Sequence, residues 1–345
     1  MSSTPHSALP TPHSILIGGT IAIDHVKTPN AEAANLLGGS AAYAALAASY
    51  FGSPVDLIGI IGHDFPEEHL TMLESRGISL TGVERSAHES FTWSGEYHAN
   101  MNERTTHSVG LNVLENWEVK VPAASAAATI VVLANMSPDN QLQMLAECGI
   151  TDASDTSSSS IPRFVIADTM DLWIEIANAR LHEVLPHLDL FVLNEGEARE
   201  LAGTSNLVKA GRILIEKGPR NVVIKLGEFG AMLFSSESGA VNAERGVNNP
   251  HSALGTPHFF RCSAYPLDTV ADPTGAGDSF LGGMAGYLNA QGPPPYAADT
   301  LRQAVIHGSI LASFTCEAFS TRSMEALNPG DLETRIEHFR GLTDW

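Results

Sequence analysis

Ala271-Asp-Pro-Thr-Gly-Ala-Gly-Asp-Ser-Phe280 is the stretch whose reading decides the fold. Val270 reads as the end of a strand and Pro273 as a stiffener of the turn. Phe280, Leu281, Met284 and Leu288 then recur at helical spacing. Gly275, Ala276 and Gly277 therefore fall at the N-terminal edge of a helix, where amide groups have no intrahelical partner. Those N–H groups and the positive end of the helix dipole favour an anion. Asp278 fits two roles: a cap on a glycine turn, or a base that takes the proton of a hydroxyl attacking a phosphoryl group. The local pattern leaves the two level. Gly282, Gly283 and Gly286 each cost the helix about 1 kcal/mol relative to alanine, a cost that close packing would offset. The turn is neither a Walker loop, since no G-x-x-x-x-G-K-S/T occurs, nor a dinucleotide fingerprint, since the final glycine is absent.

Outward from this turn, short β-branched runs alternate with helical patterns. Strands are expected at Ile15–Ile17, Val55–Ile61, Ile130–Leu133, Phe164–Ala167, Leu190–Leu193 and Val222–Leu226. Helices are expected at Ala41–Tyr50, Glu67–Ser75, Asp139–Glu147, Leu172–Leu181, Glu195–Leu201 and Leu207–Lys217. This rhythm predicts a mostly parallel sheet with helices on both faces, and ligands beyond the carboxyl ends of its strands. Three regions break it. Residues 84–112 alternate apolar and polar positions around an Asn-Met-Asn-Glu turn, as an antiparallel hairpin apart from the parallel sheet does. Asp152–Ser160 reads as a flexible loop, and residues 235–258 as a long surface excursion. Residues 1–13, with Thr-Pro-His-Ser at 4–7 and again at 11–14, read as a mobile tail.

Nineteen Lys and Arg against 39 Asp and Glu give a net charge of −20. That charge repels polyanions, so nucleic acid and anionic membrane surfaces are not expected partners. A compact phosphate ligand is still compatible, because backbone amides bind it without net positive charge. No apolar run approaches the ~20 residues that span a bilayer, and the N-terminus lacks a basic-then-apolar signal pattern. Cys148, Cys262 and Cys316 are widely spaced with no CxxC pair. The expectation is a cytoplasmic protein with reduced thiols.

Three further stretches carry chemistry. A buried strand delivers Asn194 to its carboxyl end, and Glu197 follows in the first helical turn. An amide and a carboxylate so placed suit hydrated Mg²⁺, although acids in a first turn commonly just complement the dipole. In Lys225-Leu-Gly-Glu-Phe-Gly-Ala231, Gly227 and Gly230 bracket a turn that is either an ordinary hairpin or a close approach to a flat ligand. In Leu37-Gly-Gly-Ser-Ala-Ala-Tyr43, downstream of Asp24, glycines again precede a helix, for an anion or for packing.

Together these four stretches resemble the ribokinase-like PfkB family of carbohydrate and nucleoside kinases, over about Ile15 to about Phe339. Asp272-Pro-Thr-Gly-Ala-Gly-Asp-Ser-Phe280 resembles the family's C-terminal signature, Asn194-x-x-Glu197 its Asn-x-x-Glu motif, and Gly38-Gly39 its N-terminal double glycine. The resemblance implies a doubly wound, mostly parallel α/β fold with helices on both faces and a small β-sheet lid. It implies one kinase domain over 14–345, with the lid built from about 20–37 and 84–112. Asp278 would be the base, and the amides of Gly275, Ala276 and Gly277 the anion hole. Asn194 and Glu197 would position Mg²⁺ and its waters on ATP, with Glu197 acting through water. Lys225, Gly227 and Gly230 would lie along the nucleotide, with His307 flanking the adenine. Asp24, Gly38, Gly39 and Ser40 occupy acceptor-binding positions. Tyr43 stands where the family commonly has Asn, which points to a different polyol or a stacked ring. Asp272 and Thr274 match positions of a K⁺ site in some relatives. Asp168-Thr-Met-Asp-Leu-Trp173 replaces an Asp-x-Asn-x-Arg pattern, so an acidic sugar would lack its arginine partner.

The resulting expectation is an ATP- and Mg²⁺-dependent kinase acting on an alcohol of a small neutral sugar or polyol, with a homodimer through the lid. A nucleoside (adenosine-like) kinase is the alternative acceptor reading. A non-catalytic sugar or nucleotide sensor on the same fold, and a serine hydrolase using Ser40 or Ser279, are the rivals from other classes.

Overall fold

The computed structural model describes residues 13–151, 162–236 and 258–343. The expected tail before residue 13, the loop 152–160 and most of the excursion 235–258 lie outside them. In chain order the strands and helices are β1 (Ile15–Gly18), β2 (Ala22–Lys27), β3 (Glu32–Gly38), α1 (Ser40–Ser49), β4 (Val55–Ile61), α2 (Glu67–Ser75), β5 (Ile78–Arg85), β6 (Phe91–Tyr97) and β7 (Arg104–Gly110). There follow β8 (Ile130–Leu133), α3 (Pro138–Glu147), β9 (Phe164–Asp168), α4 (Asp171–Ile176), α5 (Asn178–Val184), β10 (Leu190–Asn194), α6 (Glu195–Ala202) and α7 (Leu207–Glu216). The chain continues through β11 (Asn221–Lys225), β12 (Ala231–Ser235), β13 (His258–Cys262), α8 (Ala276–Ala290), α9 (Ala298–Thr315), α10 (Arg322–Glu325) and α11 (Pro329–Thr343).

Nine strands form one sheet in the order β13-β12-β11-β10-β9-β8-β1-β4-β5. Its pairs are parallel from β11 through β5, while β12 and β13 run antiparallel at one edge. Alternation along each strand feeds two cores. Ile15 and Ile17 pack with residues of α1, α8 and α9, whereas Leu16 packs with residues of α3, α6 and α7 on the other face. The doubly wound architecture follows, since both faces of a parallel sheet must be covered. Strand order reverses between β1 and β8, which opens a crevice at their carboxyl ends.

Helix α8 lies against both α1 and α9, and its glycines allow the approach. A Cβ at Gly282 would lie 2.1 Å from Ala44 O, and one at Gly286 2.4 Å from the Phe51 ring. One at Gly283 would press on Gly308 Cα at 3.1 Å. Close packing thus accounts for the helical cost of these three residues.

Four strands form a second sheet in the order β3-β2-β6-β7, with β2 and β6 parallel and the outer pairs antiparallel. The hairpin expected over 84–112 is shorter than that span. Glu84 and Arg85 belong to β5, which pairs with β4 in the large sheet. The helix expected over Leu172–Leu181 is two, because Ala177 leaves helical geometry (φ −130°, ψ 27°). Val270 ends no strand: β13 stops at Cys262, and the chain crosses to α9, where Ala271 N–H donates to Cys316 O at 2.8 Å. Among the described residues no helix is long and apolar enough to cross a membrane.

Candidate active site

Gly275 is the N-cap of α8, in the left-handed region at φ 79°, and no side chain caps the helix. A Cβ there would lie 2.3 Å from the Tyr43 ring, so glycine is demanded by both conformation and space. Asp272 pins the turn from below: its Oδ1 accepts Thr274 N–H (2.9 Å) and its Oδ2 accepts Ser320 N–H (3.2 Å). Of the three expected anion-hole amides, Ala276 N–H donates to Pro273 O (3.2 Å). Those of Gly275 and Gly277 have no acceptor among the described residues. Asp278 is therefore not the cap of this helix. Its half-buried carboxyl is pushed up by desolvation and pulled back by Lys225 and Arg104.

Asn194 and Glu197 behave differently. Asn194 Oδ1 accepts Glu197 N–H (2.9 Å), and Glu197 Oε2 accepts Asn194 N–H (2.7 Å), a complete capping box on α6. Glu197 is 7% exposed, and burial pushes its carboxyl up to about 7 against the pull of Lys225. The box occupies Oε2 and leaves Oε1 without a hydrogen-bond partner among the described residues.

Lys225 ends β11 as the Cα partner of Asn194 on β10. Its ammonium reaches across to α8, where a Cβ at Gly277 would lie 2.9 Å from Nζ. Gly227 (φ 56°) and Gly230 (φ 92°) flank a single 3₁₀ turn between antiparallel β11 and β12, so the hairpin expectation holds. A Cβ at Gly230 would meet Cys262 O at 2.0 Å, and one at Gly227 would lie 3.6 Å from Asn102 of the small sheet.

Asp24, on β2, is 5% exposed, and its Oδ1 is buried with no hydrogen-bond partner. Burial first, then Asp272 and Asp278, pushes its carboxyl up to about 8. Gly38 makes room for it, since a Cβ there would lie 2.2 Å from that carboxylate. Gly39 (φ 90°) starts α1, and Ser40 Oγ donates to Asn135 O (3.1 Å) beside Thr20. Tyr43 is 2% exposed and sealed beneath Gly275. It forms the floor under the turn and has no face free for a stacked ring.

His307, expected to flank the adenine, lies on α9 in an aromatic cluster. It stacks on Tyr287 at 4.0 Å and meets Phe51 edge-on, with Nδ1 against Gln303 O (2.7 Å). Two residues join the site that sequence reasoning left out of it. Asp168 ends β9, with its Oδ1 and the adjacent Thr169 Oγ1 buried and unpartnered. Burial, then the charge of Asp278, pushes the Asp168 carboxyl well above its ordinary range. Its place at the carboxyl end of a β-branched strand was the available signal. Arg104 opens β7 and acts electrostatically on both Asp278 and Glu197. From the same small sheet, Tyr97 accepts a hydrogen bond from Thr274 Oγ1 (3.3 Å). The serine nucleophile has no support: Ser279 is buried against Thr315 Oγ1 (2.8 Å), and Ser40 is held by backbone.

The arrangement combines a doubly wound α/β frame, an open helix N-terminus and clustered carboxylates with a lysine, and it defines a phosphotransferase. The pfkB family of carbohydrate kinases matches residues 20–327, and the chain belongs to that family. Cytidine kinase of Thermococcus kodakarensis is 26% identical over 277 residues, covering 79% of this chain and 88% of the relative. Among solved structures, the nucleoside kinase of Methanocaldococcus jannaschii superposes with a TM-score of 0.69 at 17% identity, covering 94% and 98% of the two chains. A ribokinase II from E. coli gives 0.70 both in complex with ATP and Mg²⁺, at 18% identity, and in its apo form, at 17%, covering 95% of this chain and 100% of that one.

Proposed function

We propose that this kinase transfers the γ-phosphoryl group of ATP to a hydroxyl of a nucleoside. The observation that carries phosphoryl transfer is the open N-terminus of α8, with the Gly275 and Gly277 amides free beside Asp278. The similarity to cytidine kinase over most of both chains supports a nucleoside ahead of the free neutral sugar or polyol expected from sequence. The fold likeness to an archaeal nucleoside kinase points the same way.

In this reading Asp278 takes the acceptor proton while the acceptor oxygen bonds to the γ-phosphorus. The bond from that phosphorus to the β–γ bridging oxygen breaks, and its electron pair leaves with ADP. The unpartnered Asp24 Oδ1 meets an acceptor hydroxyl, and Gly38, Gly39 and Ser40 shape that side of the pocket. The nucleotide runs along Gly227 and Gly230. Glu197 Oε1, the oxygen that the capping box leaves free, fits a water of a hydrated Mg²⁺ beside Asn194; the ion would neutralise phosphate charge when bound. K⁺ is no part of the proposal; Asp272 holds the turn through the Thr274 and Ser320 N–H groups. Residues 14–345 act as one domain, and the small sheet is its lid, excluding water when closed. The Thr274–Tyr97 hydrogen bond supports that role, as does Asn102, which a Cβ at Gly227 would touch. The exposed edge strand β7 is the surface for a homodimer through the lid.

An ATP-consumption screen over nucleosides, pentoses, hexoses and inositols, with products identified, tests the proposal. Phosphorylation of a ribosyl hydroxyl on a nucleoside is expected. Turnover confined to free sugars or inositols would overturn the acceptor assignment, and ligand binding without any transfer would restore the sensor.

A further inference from the structure

The geometry points to Lys225 as a catalytic cation that holds the phosphoryl group in transit at the Gly277 amide. This differs from the place along the resting nucleotide that the sequence suggested, and it rests on the kinase reading above.

The half-buried ammonium stands where a Gly277 side chain would begin: a Cβ there would lie 2.9 Å from Nζ and 3.8 Å from Cε. Glycine at 277 therefore clears the space that the lysine enters. The Gly277 amide beside it has no acceptor, and the ammonium has no hydrogen-bond or ion-pair partner within 4.0 Å among the described residues. A free donor and a free cation thus converge on one point. Ordering a long lysine side chain there costs rotamer freedom that no protein contact offsets.

Three carboxylates surround this point from different elements. Asp168 comes from the end of β9, Glu197 from the first turn of α6 and Asp278 from the first turn of α8. Burial raises each of these carboxyls and Lys225 pulls each back, yet none lies within ion-pair distance of the ammonium among the described residues. A structural counter-ion would have closed on one of them. Lys225 instead links the two helix starts: its strand end pairs with Asn194, three residues before Glu197, and its ammonium reaches Gly277, next to the proton acceptor Asp278. The γ-phosphoryl must cross that interval as its bond to the acceptor forms and its bond to ADP breaks. Charge on its three equatorial oxygens is exposed there only in passage, so a fixed cation stabilises the transition state more than bound ATP.

The test compares Lys225→Gln and Lys225→Arg with the wild type. Steady-state kcat is measured with the best acceptor, ATP affinity by calorimetry with Mg²⁺ and no acceptor, and folding by thermal midpoint. For Lys225→Gln, kcat should fall about 10²- to 10³-fold, the scale of a lost oxyanion donor. ATP affinity should stay within about threefold, the split that marks a transition-state interaction. Lys225→Arg keeps the charge and should retain more kcat than Lys225→Gln. Three outcomes overturn the inference: unchanged kcat in Lys225→Gln, loss of ATP affinity with kcat preserved, or equal losses in Gln and Arg. If Lys225→Gln does not fold, the Lys225→Arg comparison with the wild type carries the test: a kcat loss matched by lost ATP affinity overturns it. A wild type that phosphorylates no acceptor overturns the kinase reading itself, whereas an active wild type matched by Lys225→Gln removes only Lys225.

Discussion

Helices α6 and α8 both carry an acid at the third position of their first turn, Glu197 in one and Asp278 in the other. In α6 the acid turns back to the Asn194 amide, while Asn194 accepts from Glu197, and the helix end is closed by its own side chains. In α8 the N-cap is Gly275, which has no side chain to close the end, and no other residue's hydrogen bond reaches the Asp278 carboxylate among the described residues. Lys225 stands beside both, paired in register with Asn194 and placed against Gly277. The difference teaches that an acid in a first turn is defined by its N-cap: a side-chain cap consumes it, and a glycine leaves it to a ligand.

Substitution breaks this contrast most sharply at the open end. Asp278→Asn should lower kcat by about 10²-fold or more, the usual scale for a lost general base. ATP affinity should persist, and the thermal midpoint should be unchanged or raised, since burial disfavours the charged carboxyl. Near-normal turnover would remove Asp278 as the base. The closed end should answer oppositely. Asn194→Ala should cost about 1 kcal/mol of stability, the typical worth of such a cap, and raise the Mg²⁺ concentration needed for half-maximal rate. An unchanged denaturant midpoint would show that the box contributes nothing.

A third contrast is a pH slope. Asp24, whose folded value of about 8 lies above the ordinary 3.8, binds more protons folded than unfolded between those values. Stability of the ligand-free protein should therefore fall as pH rises from about 4 to about 8, and flatten above that. Asp24→Asn removes this contribution, so denaturant unfolding at pH 5 and pH 8 should differ less in the variant. Equal slopes in variant and wild type would mean that Asp24 ionises freely.

Much of the frame was legible, and the places where it was not share a cause. Val55–Ile61, Glu67–Ser75 and Ile130–Leu133 appear at their expected bounds because burial on one or both faces stamps a period on the residues. β5 was not anticipated: Ile78–Arg85 is only partly buried and carries a mixed pattern beside the sheet edge. Asp278, Asn194 and Gly275–Gly277 were found by motif, but Asp168 and Arg104 were not placed in the site. Asp168 belongs to it through what ends up beside it, and Arg104 because a second sheet folds over the first. Tyr43 and His307 were assigned by position along the chain, while burial put one beneath the turn and the other in an aromatic cluster.

The sequence by itself determined the α/β alternation, the glycine turn before α8 and membership of a kinase family, because periodicity and backbone-restricted motifs are local properties. Only the tertiary structure decided which helix end is closed and which is open, that the Ala276 amide is taken while its neighbours are free, and that Lys225 faces Gly277. The first two turn on which of several short-range pairings a motif adopts, and the last on residues far apart in the chain that no local pattern brings together.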